Sequence, residues 1–524
     1  MTIRSKIYIS TFFISLITII FFALTPVFAF AATYYIAPSP TGSDANTGTN
    51  SAPWATFAKA FTVMAGGDTL YLMDGVYNQQ ITGMPSGTAG NYTKIYALND
   101  HQVEVDGQGI LPSSGWQALL YIANKSYIEI RGLRVHGSSA TNHVCAIENS
   151  SDIILRVIGC WQAGTYQHDT PVNISGGSSN ILLEDVWAFG RGRYSVLVFS
   201  SNNITLRRVV TRWDSGAYAG QPNAGVSIYN SSNNIIENSI TLDHNAQNVQ
   251  PDHSGFYLPA NIAHSDANGF YANIALNLPN TVSGAQYGAR GFSLDPASSQ
   301  GAVNNAFINN VVLNALNGIV LGGVTTSGTS LISNTFGRNY AYGIYNGGSV
   351  TGTIAKNNAE YANTGVGINN MGGMTATFNG AFGNNGGGSQ YNGISSSCTG
   401  CSTANPGLLF PTRIESTSPY KGAGESGADI GANIVYRYID GILTTQSLWP
   451  WPYENWIKED MCDTNFLNSI GRTGTSAPKW CTTNKTLTQY IWEYLGNPIP
   501  PEIYGTTSSP DTTPPSTPTG LAVN

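Results

Sequence analysis

The feature that most constrains this chain is a recurrence of apolar anchors through its middle. Ile128, Ile153, Ile181, Ile204, Ile235, Phe307, Leu331, Ile354 and Phe378 are separated by 25, 28, 23, 31, 72, 24, 23 and 24 residues, the 72 reading as three units of 24. The recognisable unit is an Asn/Ser pair, a short β-branched run, then a polar turn residue, as in Ser179-Asn180-Ile181-Leu182-Leu183-Glu184-Asp185 and Asn202-Asn203-Ile204-Thr205-Leu206-Arg207-Arg208. Alternation inside the runs specifies strands. A unit near 24 residues is too short to bury its own apolar face. Stacking successive units in parallel, about 4.8 Å apart, gives each the neighbour it lacks. The expected fold is all-β, a solenoid.

Asparagine suits such a stack twice over. It tolerates left-handed backbone, and its amide pairs with the rungs above and below. A column of turn residues is expected at Gly132, Asp185, Arg208, Asn238, Asn310, Asn334 and Asn358. Charged residues are only 10% of the chain, and the formal net charge of −7 argues against a nucleic-acid binder, which needs a basic face.

Residues 1–31 read as a secretory signal. Arg4 and Lys6 precede an apolar stretch, and Ala29-Phe30-Ala31 is a small-x-small site, with cleavage expected between Ala31 and Ala32. An uncleaved anchor is the alternative, since the stretch is long enough to span a bilayer. Export, to the medium or the cell surface, makes disulfides permissible for the six cysteines. Cys398 with Cys401 and Cys462 with Cys481 are expected pairs. Cys145 and Cys160 read equally as buried thiols or as a bond.

Beyond residue 440 the character changes. Five of the ten tryptophans fall between Trp449 and Trp492, and Thr486 is a candidate cap for a helix through Trp492 and Leu495, stopped by Gly496 and Pro498. These aromatics read as a seal over an open end of the solenoid, with a sugar-stacking platform as the alternative.

The opening segment carries a resemblance. Tyr34-Tyr35-Ile36-Ala37-Pro38, Gly42-Ser43-Asp44, Pro53-Trp54-Ala55-Thr56 and Ala65-Gly66-Gly67-Asp68-Thr69-Leu70 resemble the start of pectate-lyase-like right-handed parallel β-helix proteins. Gly427-Ala428-Asp429-Ile430-Gly431 resembles a segment that closes such helices. The resemblance implies a right-handed parallel β-helix over 32–440, capped at its start by a short helix near Thr56–Met64. A Trp-rich, partly helical cap over 441–505 follows. The tail over 506–524, with Asp511-Thr512-Thr513-Pro514-Pro515, resembles a linker into a fibronectin type III domain.

On a solenoid, insertions become loops over one side. Gly159–Val172, Arg212–Ala224 and Asp243–Gly255 are overlong, and His136, Arg212 and Asp243 all follow a turn residue by four or five positions. They are expected on one side, walling a groove. Arg191, Arg193, Arg207, Arg208 and Arg212 lie within 22 positions, with Asp214, Asp243, Asp252, Asp266 and the histidines following. Relatives that cleave acidic polysaccharide hold calcium on carboxylates of adjacent coils and use a basic residue on the α-proton. The resemblance therefore implies a polysaccharide partner, with an acidic one, and calcium on Asp243, Asp252 and Asp266, as the expectations for a lyase. Arg193 or Arg212 would be the base, and Arg191, His136, His168, Asp214 and His253 would contact substrate.

The departures are equally specific. Only Lys59, Lys94, Lys125 and Lys356 lie between Ala32 and Gly400, so no lysine stands at the groove. The Arg-His-Gly element of alginate and chondroitin lyases, and the Asn-Thr-Asp, Asp-Asp and Gly-His-Gly signatures of polygalacturonase-like hydrolases, are missing, and the one Lys-Ser pair past the signal, Lys125-Ser126, lies outside the expected groove. Surface ion pairs along the stack are the competing reading of the arginines. Two functions stay open: a calcium-assisted uronate lyase, or a non-catalytic glycan-binding or adhesion protein, in either case expected to be a monomer.

Overall fold

The computed structural model describes residues 31–215, 222–245, 253–279, 288–296, 300–322, 326–348, 350–394 and 398–504. Residues 1–30 of the signal expected over 1–31, together with Asp252 and the linker over 506–524, lie outside these residues.

Each coil has three segments, such as Asn202–Arg207, Val210–Ser215 and Ala224–Tyr229. The first two belong to a 23-stranded sheet bent at the turn between them, and the third to a 12-stranded sheet. Pairing between coils is parallel throughout, as in Leu206↔Ile236↔Phe270↔Phe307↔Leu331. The fold is therefore the expected right-handed parallel β-solenoid. Its N-terminal cap is the helix Phe57–Val63, where the Thr56 hydroxyl accepts from the Lys59 N–H and Phe57 and Ala60 are buried. Hydrogen bonding into the first coil begins at Ala32, whose N–H donates to Asp68 at 2.7 Å.

Two details of the register differ from the sequence reading. The interval of 72 residues holds two enlarged coils rather than three units, because Ile236 pairs with Phe270 and Phe270 with Phe307. The turn column also divides. Asp185, Arg208 and Asn238 are the left-handed residues themselves, with φ of 56°, 53° and 50°, whereas later coils turn at Asn309, Ser333 and Asn357. The next residue in each, Asn310, Asn334 and Asn358, points inward and forms the amide ladder. Nδ2 of Asn310 donates to Oδ1 of Asn334 at 3.0 Å, and Nδ2 of Asn334 to Oδ1 of Asn358 at 2.8 Å.

All six cysteines are paired, as Cys145–Cys160, Cys398–Cys401 and Cys462–Cys481. The first joins a third-segment strand, His143–Glu148, to the strand that follows it in the 23-stranded sheet, Ser151–Trp161. This resolves the open choice at those positions in favour of a bond.

The C-terminal region does not seal an end, as the tryptophans suggested. It runs back along the flank, antiparallel to the growth of the stack. Ala432 donates to Thr335 Oγ1, Asn433 to Asn309, Tyr438 to Asn238, and Asp460 meets Arg134 and His101 far toward the N-terminal end. Its antiparallel hairpin, Tyr436–Ile439 with Ile442–Ser447, and helices Glu454–Met461 and Leu487–Trp492 cover the outward side chains of the second segments. Thr486 and Gln489 form the capping box that starts the last helix, and Gly496 ends its final turn at φ 95°. Trp161, Trp187, Phe189, Leu242, Leu276 and Leu313 thereby join Trp449, Trp451, Trp480 and Trp492 in a second apolar core, outside the solenoid's own. Burying side chains of this size contributes roughly 1.5–3 kcal/mol each, which explains the aromatic density after residue 448.

One acid stands inside the solenoid. Glu360 pairs in register with Phe336 and Ala381, is fully buried, and neither carboxylate oxygen has a hydrogen-bond partner among the described residues. Burial pushes its carboxyl well above the ordinary range. Below the unfolded-state pKa of about 4.3 both states hold the proton. As pH rises past it, only the unfolded chain releases the proton, so this site loses stability until the folded carboxyl itself ionises. Glu360→Leu is expected to stabilise the protein by about 1–3 kcal/mol at pH 8 and by much less at pH 4, measured by urea denaturation at both pH values.

Candidate functional site

Register places the expected groove residues on one flank. Asp106, His136, Trp161, Phe189 and Arg212 are successive partners, and Thr211 pairs with Thr241 one coil further on, two residues before Asp243. The inference that distant loops share a side therefore holds. The groove does not, because the C-terminal region lies over its later coils.

Arg212 is the clearest correction. It is 1% exposed, its Nε donates to Asp214 at 2.8 Å, and its Nη1 donates to the Met461 carbonyl. Asp214 also receives Arg472 Nη1 at 2.7 Å. A base enclosed in this way meets no substrate, and Asp214 binds arginines of its own chain instead of sugar. Asp243 is likewise occupied, accepting from the Trp480 N–H at 2.6 Å and from Asn277 Nδ2 at 2.7 Å, with its carboxyl raised by burial. Asp266 lies at another corner of the coil, against His264 and the Val303 N–H. Asp243 and Asp266 therefore do not converge as a calcium site.

His253 is fully buried beside Trp213, and its Nε2 shares a hydrogen bond of 2.8 Å with His244, which reaches Thr241 at 2.6 Å. Burial lowers His253 to about 3 and His244 well below its usual value. Both rings are neutral structural groups, and His253 is not a surface contact. Arg207 and Arg208 belong to an ion ladder with Glu184, Asp185 and Glu237. Burial alone would raise Glu184, but Arg208, Arg207 and Arg156 hold it at about 2. These pairs are buried, so the ion-pair reading was right in kind but not in place.

His168, Arg191 and Arg193 do come together, on the uncovered corner leading into the 12-stranded sheet. Trp116 precedes the strand Ala118–Ala123, Tyr166 and His168 precede Val172–Ser175, and Arg193 precedes Tyr194–Phe199. With His143–Glu148 between the first two, these strands are consecutive neighbours. Three spacings make a row of about 14 Å. Trp116 is 61% exposed and meets Tyr166 edge-on at 4.9 Å, and Tyr166 meets His168 at 5.7 Å. Arg193 donates through Nη1 to His168 Nδ1 at 3.0 Å and lies over the Tyr194 ring. Burial and then Arg193 lower the His168 pKa. A guanidinium only donates, so the neutral ring carries its proton on Nε2 and offers a donor outward. Arg191 Nε is held by the Ala163 and Gly164 carbonyls, each at 3.1 Å. Asp169 beneath the loop accepts the Tyr166 N–H at 2.8 Å, and burial raises it to about 6 against opposing hydrogen bonds and Arg191.

His136 stands on the flank beyond the cover, stacked on Trp161 at 4.4 Å. Its ring nitrogens face Glu104 at 3.1 Å and Asp106 at 3.7 Å. Among the described residues these three form a cluster whose donor atoms all lie within 4.8 Å. Calcium takes oxygen ligands, so an imidazole set does not fit it; carboxylates with imidazole suit transition metals better. Arg134 already pairs with Glu104 at 2.8 Å, and the hydrogen bond from His136, its largest influence, lowers Glu104. Glu104 and Asp106 were absent from the sequence reading. Their signal was Val103-Glu104-Val105-Asp106, in phase with Leu133-Arg134-Val135-His136 one coil later.

The fold and these sites define a parallel β-solenoid with a lateral C-terminal cover and an open aromatic–cationic corner. A family model described as "Pel9A-like, right handed beta helix region" matches residues 34–191, a range that includes Trp116, Tyr166, His168 and Arg191 and stops short of Arg193. The Bacillus subtilis (strain 168) protein "Uncharacterized protein YwoF" is 30% identical over 108 residues, 21% of this chain and 23% of that protein, so the match spans under a quarter of the relative. Among solved structures, "Crystal structure of pectate lyase Pel9A" is similar at 17% identity and TM-score 0.46, covering 77% of this chain and 96% of that one. "The complex structure of XylC with xylose" is similar at 10% identity and TM-score 0.47, covering 72% and 87%.

Proposed function

We propose that the protein binds an acidic polysaccharide across the corner formed by Trp116, Tyr166, His168 and Arg193, acting outside the reducing cytoplasm after removal of residues 1–31. The observation that carries this reading is the row itself. An exposed indole offers a face for a pyranose ring, and Arg193 and His168 Nε2 offer donors to a sugar carboxylate and hydroxyl. Three paired disulfides and a family match over residues 34–191, which holds Trp116, Tyr166 and His168, support it. Among the described residues no helix is long and apolar enough to cross a membrane.

The test is affinity electrophoresis in gels containing polygalacturonate, alginate or a neutral glucan. Retention by a polyuronate is expected, and Trp116→Ala and Arg193→Ala should each weaken it about tenfold, ~1.4 kcal/mol. Equal retention by the neutral glucan, or intact retention in both variants, refutes the reading.

A second reading, uronate lysis with Arg193 as base and calcium as helper, is favoured by Arg193 being the expected base that faces an open corner. A guanidinium binds a carboxylate far better than it accepts a proton, so binding is the stronger proposal. Ultraviolet-absorbing unsaturated product that requires both calcium and Arg193 would reverse that order.

A further inference from the structure

The seam between the C-terminal cover and the solenoid leaves a second cavity, of about 380 Å³, that neither part makes alone. The solenoid contributes Asn277, Asn314 and Arg338, and the cover contributes Lys479, Lys485 and Tyr494. Its charge is lopsided. Lys485 pairs with Glu493 at 3.0 Å, but Arg338 has no ion pair among the described residues, and Lys479 has only a long contact of 3.4 Å to Asn277 Oδ1. Arg338 is also out of character for its surroundings. It is one of three charged residues between Gly301 and Gly400; of the others, Lys356 pairs with Glu425 and Glu360 is buried inside the coil.

The floor is polar and already oriented. Asn314 Nδ2 donates to Tyr494, and the Tyr494 hydroxyl donates to Asn277 Oδ1 at 2.5 Å. Behind it the Tyr361 hydroxyl, within electrostatic reach of Arg338 and Tyr494, has no hydrogen-bond partner among the described residues. Unpaired cations at the mouth call for an anion, and an amide–phenol floor calls for hydroxyls that both donate and accept. A cavity of this size takes a ligand no larger than one or two sugar units.

We infer that this seam cavity binds a carboxylate-bearing monosaccharide unit, with Arg338 and Lys479 on the carboxylate and Asn314 and Tyr494 on ring hydroxyls. The inference goes beyond the corner and does not depend on it. The ligand is either a free sugar acid or the uronate terminus of a chain.

The test is isothermal titration of the full chain with sodium D-galacturonate, sodium D-glucuronate, trigalacturonate and neutral D-galactose. At least one acid is expected to saturate where galactose does not, and Arg338→Ala and Lys479→Ala should each weaken it at least tenfold. Both side chains are exposed, so unchanged circular dichroism and melting would show that the fold is kept. Saturation by the monosaccharide alone assigns the cavity to free sugar acids, and saturation by the trimer as well assigns it to chain ends. Trp116→Ala removes the corner, so monosaccharide saturation, and any trimer saturation assigned to the seam, should persist in that variant even where polyuronate retention is abolished, and the two proposals fail separately. No saturation by any acid, equal binding of galactose, or full affinity in both variants overturns the inference.

Discussion

Asp214→Ala is expected to cost about 3–5 kcal/mol and to loosen the C-terminal region from the flank. Asp214 has no exposed side-chain surface and accepts from Arg212, Arg472 and the Gly190 N–H. Removing it leaves two guanidinium groups beneath the cover without their counterion, and Arg212 Nη2 already lacks a partner among the described residues. Urea denaturation followed by tryptophan fluorescence would show it, because Trp480, whose N–H donates to Asp243 beside Arg472, is buried under the cover and would become solvated. Replacing Arg212, Asp214 and Arg472 together by Met, Leu and Met should recover most of the loss, since a buried triad is often replaceable by apolar groups. An unchanged denaturation midpoint in Asp214→Ala would mean that these charges are not sealed in.

The second large effect belongs to the amide ladder. Asn334 is fully buried. Its Oδ1 accepts from the Asn310 N–H at 2.9 Å and from Asn310 Nδ2 at 3.0 Å. Its Nδ2 donates to the Phe307 carbonyl at 2.9 Å and to Asn358 Oδ1 at 2.8 Å. Asn334→Ala strands polar groups on both neighbouring coils, each costing about 1–3 kcal/mol when buried and unsatisfied. A total loss of about 3–4 kcal/mol is expected, with amide hydrogen exchange accelerating on the coils of Asn310 and Asn358 before those near Ile128. Asn392→Ala is the control: its amide bonds one neighbour, Asn369, and its side chain lies at the surface. A loss no larger than the control's would remove the ladder from the account of stability.

The stack was legible because its repeat is written in the chain: inward Ile and Leu recur wherever a coil returns to the same sheet. Coil number was not, since the two coils between Ile235 and Phe307 carry inserted loops that spoil the period. The cover was legible in composition but not in place. A signal did exist. Second segments such as Val186-Trp187-Ala188-Phe189 and Val311-Val312-Leu313 are apolar at both parities, the mark of a strand buried on two faces. Among the expected site residues, Arg193, Arg191 and His168 lie together on the uncovered corner beside the overlong Gly159–Val172 stretch. Arg212, Asp214 and Asp243 were misread because a charge that holds a distant segment of its own chain looks, in sequence, like one that awaits a ligand.

The most direct measurement is a crystal structure of the protein with a bound oligogalacturonate. Density along Trp116, Tyr166 and Arg193, with the C-terminal region still seated over Arg212 and Asp243, is the predicted result. Sugar lying against Arg212 and Asp243, with residues 454–495 displaced, would contradict it.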